Sequence, residues 1–390
     1  VDFNLSFSWR LFAAAVFAPM NAVSIFSVMQ LQYWGPIAMP RADRARARKE
    51  VPMRIRASWL AMAAVIAGMT GASAETLTGA GGTAIYPVLQ IWASRYAQTS
   101  GDQINYQAIG SGGGIKQIES KTVDFANSDK PLQHAELAAN QLVQFPQVII
   151  SIVPIVNLPG IAPGQMVLNG AVLSKIYLGQ ITRWNDPAIK ALNPKLNLPG
   201  TAILPVHRAD GSGTTFNFTN YLGKVNPEWA NKVGADTSVE WPGGVGGKGN
   251  AGVAADVQQT AGAIGYVEYA YAMQSKLVFT DMINAAGQRV HPAMEAFQAA
   301  AANADFSKVQ DFYEILTNQP GAKSWPITAA TYMLMRADYP QAKNKAVVKF
   351  LDWAMKSGQD DAKKLDYVPM PDRVIKLIEA SWEKTLKVKP

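Results

Sequence analysis

Three stretches of one makeup constrain this chain more than anything else in it: Thr78-Gly79-Ala80-Gly81-Gly82-Thr83, Gly110-Ser111-Gly112-Gly113-Gly114 and Arg208-Ala209-Asp210-Gly211-Ser212-Gly213-Thr214-Thr215. Each sets glycine and hydroxyl residues directly before a segment with helical spacing of its apolar residues. A helix N-terminus has unpaired N–H donors and the positive end of the helix dipole, and glycine lets the backbone approach a ligand closely. Three such loops, the last bringing an Arg and an Asp, predict walls that converge on a small oxyanion.

The segments around the loops alternate between strand and helix, which predicts an α/β fold. Ile85, Val88, Leu89, Trp92 and Tyr96 line one helix face after the first loop. Asn105 to Ile109 reads as a strand entering the second loop, and Ile115 and Ile118 mark the buried side of the helix beyond it. Val123 to Ala126 is a further strand, ending at Asn127-Ser128-Asp129. Open α/β sheets bind ligands at this carboxyl edge of their strands. Val148 to Asn157 is a continuous apolar run closed by Leu158-Pro159-Gly160, after which a second lobe is expected. That lobe takes in a strand from Ile203 to Arg208, a helix with Phe218, Tyr221 and Leu222 on one face, and a strand from Ala263 to Val267. Trp325-Pro326, with Thr331 to Met335 after it, predicts a return crossing. Helices around Phe350 to Trp353 and from Val374 to Leu386 would then pack on the first lobe. The expected division is residues 75–157 with 326–390 as lobe 1 and 158–325 as lobe 2, with a ligand cleft between them.

The formal charge of +7 is unevenly spread. Eight of the 36 Lys/Arg and three of the 29 Asp/Glu lie in residues 1–74, leaving 28 basic against 26 acidic residues and a net charge of about +2 for the remainder. No nucleic-acid footprint is indicated. Met53-Arg54-Ile55-Arg56, an uncharged stretch from Ala57 to Gly71 and then Ala72-Ser73-Ala74 describe a signal peptide over 53–74, cleaved after Ala74. Residues 1–52 are read as an upstream extension that is not native mature sequence, with Met53 the natural initiator. The chain has no cysteine, which excludes disulfides, thiolate nucleophiles and a lipid-modified cysteine anchor. With the leader, this predicts a soluble periplasmic protein.

Several catalytic and cofactor readings fail on spacing. Gly79-x-Gly81-x-x-Ala84 fits a loose dinucleotide fingerprint, but only Glu75 to Thr78 precede it, too little for a central first strand, and Asp102 falls in a turn. In Gly243-Gly244-Val245-Gly246-Gly247-Lys248-Gly249 the positions that a Walker loop needs as Gly and Ser/Thr are Pro242 and Gly249, so a flexible surface loop is expected, the alternative being that Lys248 adds positive potential near the cleft. Gly211-Ser212-Gly213 lacks the glycine spacing of a nucleophile elbow. Of the three histidines, His134, His207 and His291, none has a partner at metal-ligand spacing, and His207 should point away from the side of the strand used by Arg208.

Asp129 is the discriminating candidate. A carboxylate facing an oxyanion cleft repels a fully deprotonated anion but accepts a hydrogen bond from one that keeps a proton. Near neutrality phosphate keeps a proton and sulfate does not, so Asp129 among N–H and hydroxyl donors would admit the first and reject the second. Arg208 and Asp210 are two apart, so an extended backbone puts both on one face. There Asp210 could hold the guanidinium fork for bidentate use on the anion.

With these motifs in this order, residues 75–390 resemble the periplasmic phosphate-binding proteins of bacterial high-affinity phosphate ABC transporters. The matching stretches are the three loops (the second within Ile109 to Ile118), Val123 to Asp129, Trp241 to Asn250 and Gly262 to Ala272. The resemblance implies a two-lobed, type II-like periplasmic binding protein, each lobe a mixed sheet flanked by helices. It implies that phosphate is held by the Thr83 hydroxyl and backbone, the Ala84 N–H, Ser111, Asp129, Arg208, Ser212, the Gly213 N–H and Thr214, with Asp210 orienting Arg208. It further implies delivery to the membrane permease subunits of the transporter, no catalysis, no cofactor, no metal and a monomer. Two positions depart from the family pattern: Ala84 stands where Phe is usual, and Asn127 where a small residue is frequent. A secreted phosphatase-like enzyme on the same scaffold, or a binder of another tetrahedral oxyanion, are the alternatives. The first needs a nucleophile or a metal pair that the sequence does not offer, and Asp129 opposes the second.

Overall fold

The computed structural model describes residues 74–390. The upstream extension and nearly all of the expected signal peptide lie outside the described residues. Strand β1 (Thr76–Gly81) runs into a short loop and helix α1 (Tyr86–Ser100). Strand β2 (Gln103–Ala108) then leads into α2 (Ser111–Glu119), and β3 (Phe125–Ser128) precedes the short helix α3 (His134–Ala139). β1 lies between β2 and β3, parallel to both.

This corrects the expectation that β1 is too short to be internal. It is six residues long, and the first two glycines of the opening motif lie inside it rather than in a loop. A side chain at Gly79 would collide with the Phe125 ring on β3, and one at Gly81, whose φ is +145°, would collide with the Asn127 carbonyl. These glycines serve close strand packing, so the dinucleotide reading fails for a different reason from the one the sequence suggested.

The next strand, β4 (Leu142–Val156), is fifteen residues long and buried at every position but Val143. It joins two sheets, and such two-sided burial is why its sequence is nearly continuous in apolar residues. After it come β5 (Val167–Asn169), α4 (Gly170–Tyr177) and α5 (Pro187–Leu192). β6 (Leu204–Arg208) feeds α6 (Gly213–Val225), followed by α7 (Pro227–Lys232). β7 (Val245–Gly247) feeds α8 (Gly249–Gln259), and β8 (Ala263–Glu268) feeds α9 (Tyr269–Gln274). Short strands β9 (Val278–Phe279), β10 (Asp281–Ile283) and β11 (Arg289–Val290) precede α10 (Met294–Ala301). The return strand β12 (Thr328–Arg336) is followed by α11 (Gln341–Lys356), α12 (Gln359–Lys364), β13 (Val368–Pro369) and α13 (Asp372–Thr385).

The strand order β2-β1-β3-β12-β4-β8-β6-β7 passes through β4, which changes partner midway. Leu142 to Ser151 pair antiparallel with β12, and Ile152 to Val156 pair antiparallel with β8. The chain returns beside this point: Ile152 N–H donates to the Ile327 carbonyl (2.9 Å), and the Trp325 indole donates to the Ile152 carbonyl (2.9 Å). The result is two lobes of mixed sheet and helix. α11 and α13 pack on the first sheet, where Phe350 meets Tyr96 and Phe125 and Trp382 meets Phe145 edge-on. Phe218 stacks on Tyr266 at 4.0 Å in the second. Burial of one such ring is worth on the order of 2 kcal/mol. Among the described residues no helix is long and apolar enough to cross a membrane.

Candidate functional site

Gly82 to Ile85 form the turn between β1 and α1. The Thr83 carbonyl accepts from Tyr86 N–H (3.2 Å), and Pro87 falls in the first turn of the helix, where its missing N–H costs nothing. Among the described residues the N–H groups of Thr83 and Ala84 have no hydrogen-bond partner. Three phenols hold the opposite side of this turn. Tyr106 donates to the Gly82 carbonyl (2.9 Å), Tyr271 to that of Thr83 (2.8 Å) and Tyr367 to that of Ala84 (2.6 Å). With three successive carbonyls engaged, the loop's N–H donors are left for another acceptor.

Ser111, Asp129 and Gly213 meet although three different elements supply them. Ser111 opens α2, and its Oγ accepts from Asp129 N–H (3.2 Å). Gly213 opens α6, and a Cβ there would lie 2.5 Å from Ser111 Oγ and 2.6 Å from Asp129 Cβ. Glycine therefore lets the α6 N-terminus close onto the first lobe. Ser212 caps α6 by accepting from Thr215 N–H (3.0 Å), and Asn217 reaches back to the Asp129 carbonyl (2.7 Å). A Cβ on Gly82 would sit 3.3 and 3.6 Å from the two Asp129 carboxylate oxygens, which places the Thr83–Ala84 turn beside the same carboxyl.

Arg208 ends β6 with its side chain 1% exposed. Its Nε and Nη2 donate to Asp210 (2.8 and 2.5 Å), and Nη1 stands 3.4 Å from the Thr214 hydroxyl. Asp210 thus takes the Nε edge of the fork, as expected from the spacing, and the Nη edge carries only the long contact to Thr214. Burial pushes the Asp210 carboxyl up, but the Arg208 hydrogen bonds and charge and the Gly249 N–H outweigh it and hold it below the ordinary value. His207 turns the other way and stacks on Trp241 at 4.7 Å.

Asp129 is 1% exposed. Burial raises its carboxyl to about 6, against the opposing pull of a hydrogen bond from Thr331 and the charge of Arg208. It remains mostly ionised at neutral pH.

All eight residues expected to bind the anion, together with Asp210, therefore converge where the two lobes face each other. The same region contains groups that sequence reasoning missed. Asn250 donates through Nδ2 (2.7 Å) and N–H (3.2 Å) to the Thr83 hydroxyl oxygen, and Gly249 N–H donates to Asp210 Oδ1 (2.9 Å). The Gly243–Gly249 stretch is not simply the flexible loop expected. Val245 to Gly247 pair with β6, and Gly249, at φ +68°, starts α8 against the site. Lys248 is exposed. Asn250 Oδ1 accepts from Glu268 N–H (2.9 Å), and Glu268 Oε2 lies 3.1 Å from the Tyr367 hydroxyl. Burial drives the Glu268 carboxyl well above its ordinary range. Gly249, Asn250 and the stretch Gly262 to Ala272 lay in or near a recognised motif, and Tyr106 in the strand entering the second loop; nothing local marked Tyr367 or Thr331.

This arrangement defines a two-lobed solute-binding protein, and a family model described as a PBP superfamily domain matches residues 69–357. The phosphate-binding protein PstS of Xylella fastidiosa (strain 9a5c) is 53% identical over 312 residues, 80% of this chain and 86% of that protein. PstS of Haemophilus influenzae is 51% identical over 318 residues, 81% of this chain and 95% of that protein. The chain belongs to this PstS family of phosphate-binding proteins. Among solved structures, PfluDING, a high-affinity periplasmic phosphate-binding protein, shares the fold at a TM-score of 0.64 with 21% identity, covering 78% of this chain and 93% of its own. The phosphate-binding protein of Stenotrophomonas maltophilia does so at 0.59 with 19% identity, over 79% and 94%.

Proposed function

We propose that the chain binds inorganic phosphate between its lobes and delivers it to the membrane permease of an ABC-type phosphate importer. Thr83, Ala84, Ser111, Arg208, Ser212, Gly213 and Thr214 are the donors and Asp129 the acceptor, with Asp210 orienting Arg208. The observation that carries this reading is the meeting of one buried carboxylate with the unpaired N–H groups of Thr83 and Ala84, the buried Arg208 guanidinium and hydroxyl groups from both lobes. A buried divalent anion held without a metal needs such a donor set, and the carboxylate selects an anion that brings a proton.

The division into residues 75–157 with 326–390 and 158–325 belongs to the same reading, supported by the change of β4 partners between Ser151 and Ile152. Export behind the 53–74 leader, cleavage after Ala74 and a monomeric state belong to it as well. No catalytic step is assigned. Ser212 Oγ accepts the helix-cap hydrogen bond from Thr215 N–H and keeps its own proton to donate, and His207, the histidine next to the loop, is stacked on Trp241. The test is isothermal titration of the exported chain with phosphate and with sulfate at neutral pH. Phosphate should bind far more tightly, and equal affinity for sulfate would defeat the reading.

A further inference from the structure

The carboxylate that selects the ligand is itself held by a residue on the return strand. Thr331 Oγ1 lies 2.7 Å from Asp129 Oδ1 and 3.1 Å from Asn127 Oδ1. Asn127 Nδ2 donates to Thr331 Oγ1 (2.9 Å) and to the Tyr332 carbonyl (3.0 Å). The Tyr332 carbonyl accepts only, so it fixes which end of the Asn127 amide is nitrogen. Thr331 therefore receives a hydrogen bond from Asn127 and has one proton to give. The nearer and charged acceptor is Asp129 Oδ1. Asn127 and Thr331 are fully buried, so no bulk solvent competes. The pairing is irregular at this point: the β12–β4 register shifts between Thr331 and Tyr332, opposite Val148 and Pro146, so that Gln147 of β4 is the extra residue.

We propose that Thr331, locked by Asn127, is a positioning residue for anion selection: its proton occupies Asp129 Oδ1, keeps that carboxyl an acceptor and leaves Oδ2 for the ligand's own proton. This rests on the phosphate reading above. Among the described residues Asp129 Oδ2 takes no hydrogen bond. The groups facing Asp129 from the surrounding elements are Arg208 of β6, Tyr106 of β2, Glu268 of β8, Tyr271 of α9 and Tyr367 before β13. Burial pushes the three phenols and the Glu268 carboxyl up, away from ionisation, and Arg208 brings the positive charge of this set. Without the Thr331 donor, the carboxyl would take up a proton at higher pH. Protonated Asp129 donates, and a donor accepts sulfate as readily as phosphate.

The experiment is titration of Thr331→Val, Thr331→Ser and Asn127→Ala with phosphate and sulfate from about pH 5 to about pH 8. In the parent chain the phosphate preference should decline as pH falls through about 6. Thr331→Val should move that decline up by about one pH unit and cut the phosphate-to-sulfate ratio at neutral pH roughly tenfold. Thr331→Ser should restore both, because it keeps the hydroxyl. Asn127→Ala should shift the profile in the same direction by less, and carries the test if Thr331→Val does not fold. An unchanged ratio and pH profile in the variants that fold overturns the role of Thr331. A parent chain with no preference for phosphate overturns the functional reading, and this inference with it.

Discussion

Ionising a carboxyl that is 1% exposed costs free energy, and in the proposed site Asp129 bears that cost. Its folded-state value of about 6 exceeds the ordinary 3.8, so the ligand-free fold binds more protons than the unfolded chain between these values. Ligand-free stability therefore falls as pH rises through that window and stays reduced at neutrality. Asp129→Asn, which has no charge to bury, should raise ligand-free stability at neutral pH by about 2 kcal/mol while lowering the phosphate-to-sulfate ratio. Urea midpoints at neutral pH and titration read both, and a variant no more stable than its parent would refute the cost assigned to this carboxyl. Asp129 could be found in the sequence because a carboxylate directly follows a short strand, and Arg208 and Asp210 because both open the third glycine-rich loop at the end of another. Thr331 could not: it lies 202 residues from Asp129 and becomes its neighbour only through antiparallel pairing of the return strand. Tyr367, 283 residues from Ala84, is the same case.

Helix α6 shows how an element can be both easy and hard to read. Its buried face of Phe218, Tyr221 and Leu222 was evident from spacing. What spacing could not show is that its first residue touches the opposite lobe. A Cβ at Gly213 would meet Ser111 Oγ at 2.5 Å and Asp129 N at 2.7 Å, so Gly213→Ala should hold α6 away from the cleft floor. Phosphate affinity should drop ten- to hundredfold, the equivalent of about 1–3 kcal/mol of overpacking, whereas far-UV dichroism and the ligand-free melting curve stay near those of the parent. Undiminished affinity would show that the helix end is not pressed against the site. β4 was read as starting at Val148 but begins at Leu142. Pro146 and the buried Gln144 and Gln147 broke the apolar pattern, and Gln144 earns its place by bonding the Leu132 backbone on both sides, at 2.8 and 2.9 Å.

At the scale of the whole molecule, buried and exposed contacts both bridge the lobes. Gly112 N–H donates to the Gly211 carbonyl (2.9 Å), and Asn250 and Tyr271 grip Thr83. Lys130 pairs with Asp236 at 2.9 Å, with side chains 24% and 53% exposed. Exposed pairs contribute at most about 1 kcal/mol, so the buried bridges should dominate closure. Asn250→Ala combined with Tyr271→Phe should weaken phosphate binding about tenfold or more, and Lys130→Ala less than about threefold. Titration of the two variants side by side decides it, and the reverse order would assign closure to surface charge. The two-lobed plan was legible because apolar runs and loop motifs recur along the chain, but the pairing that stitches the crossings together was not.

That stitching has a mechanical consequence. The two connections between the sheets are bonded to each other at Ile152, Trp325 and Ile327, like a pair of leaf springs clamped side by side. Such a joint bends easily and resists shear, so any opening of one sheet from the other is steered toward a single rotation. Leverage then sets how far each group travels. Glu268, the register partner of Ile152, sits at the pivot and moves least, and groups farther out along the cleft sweep the longest arcs.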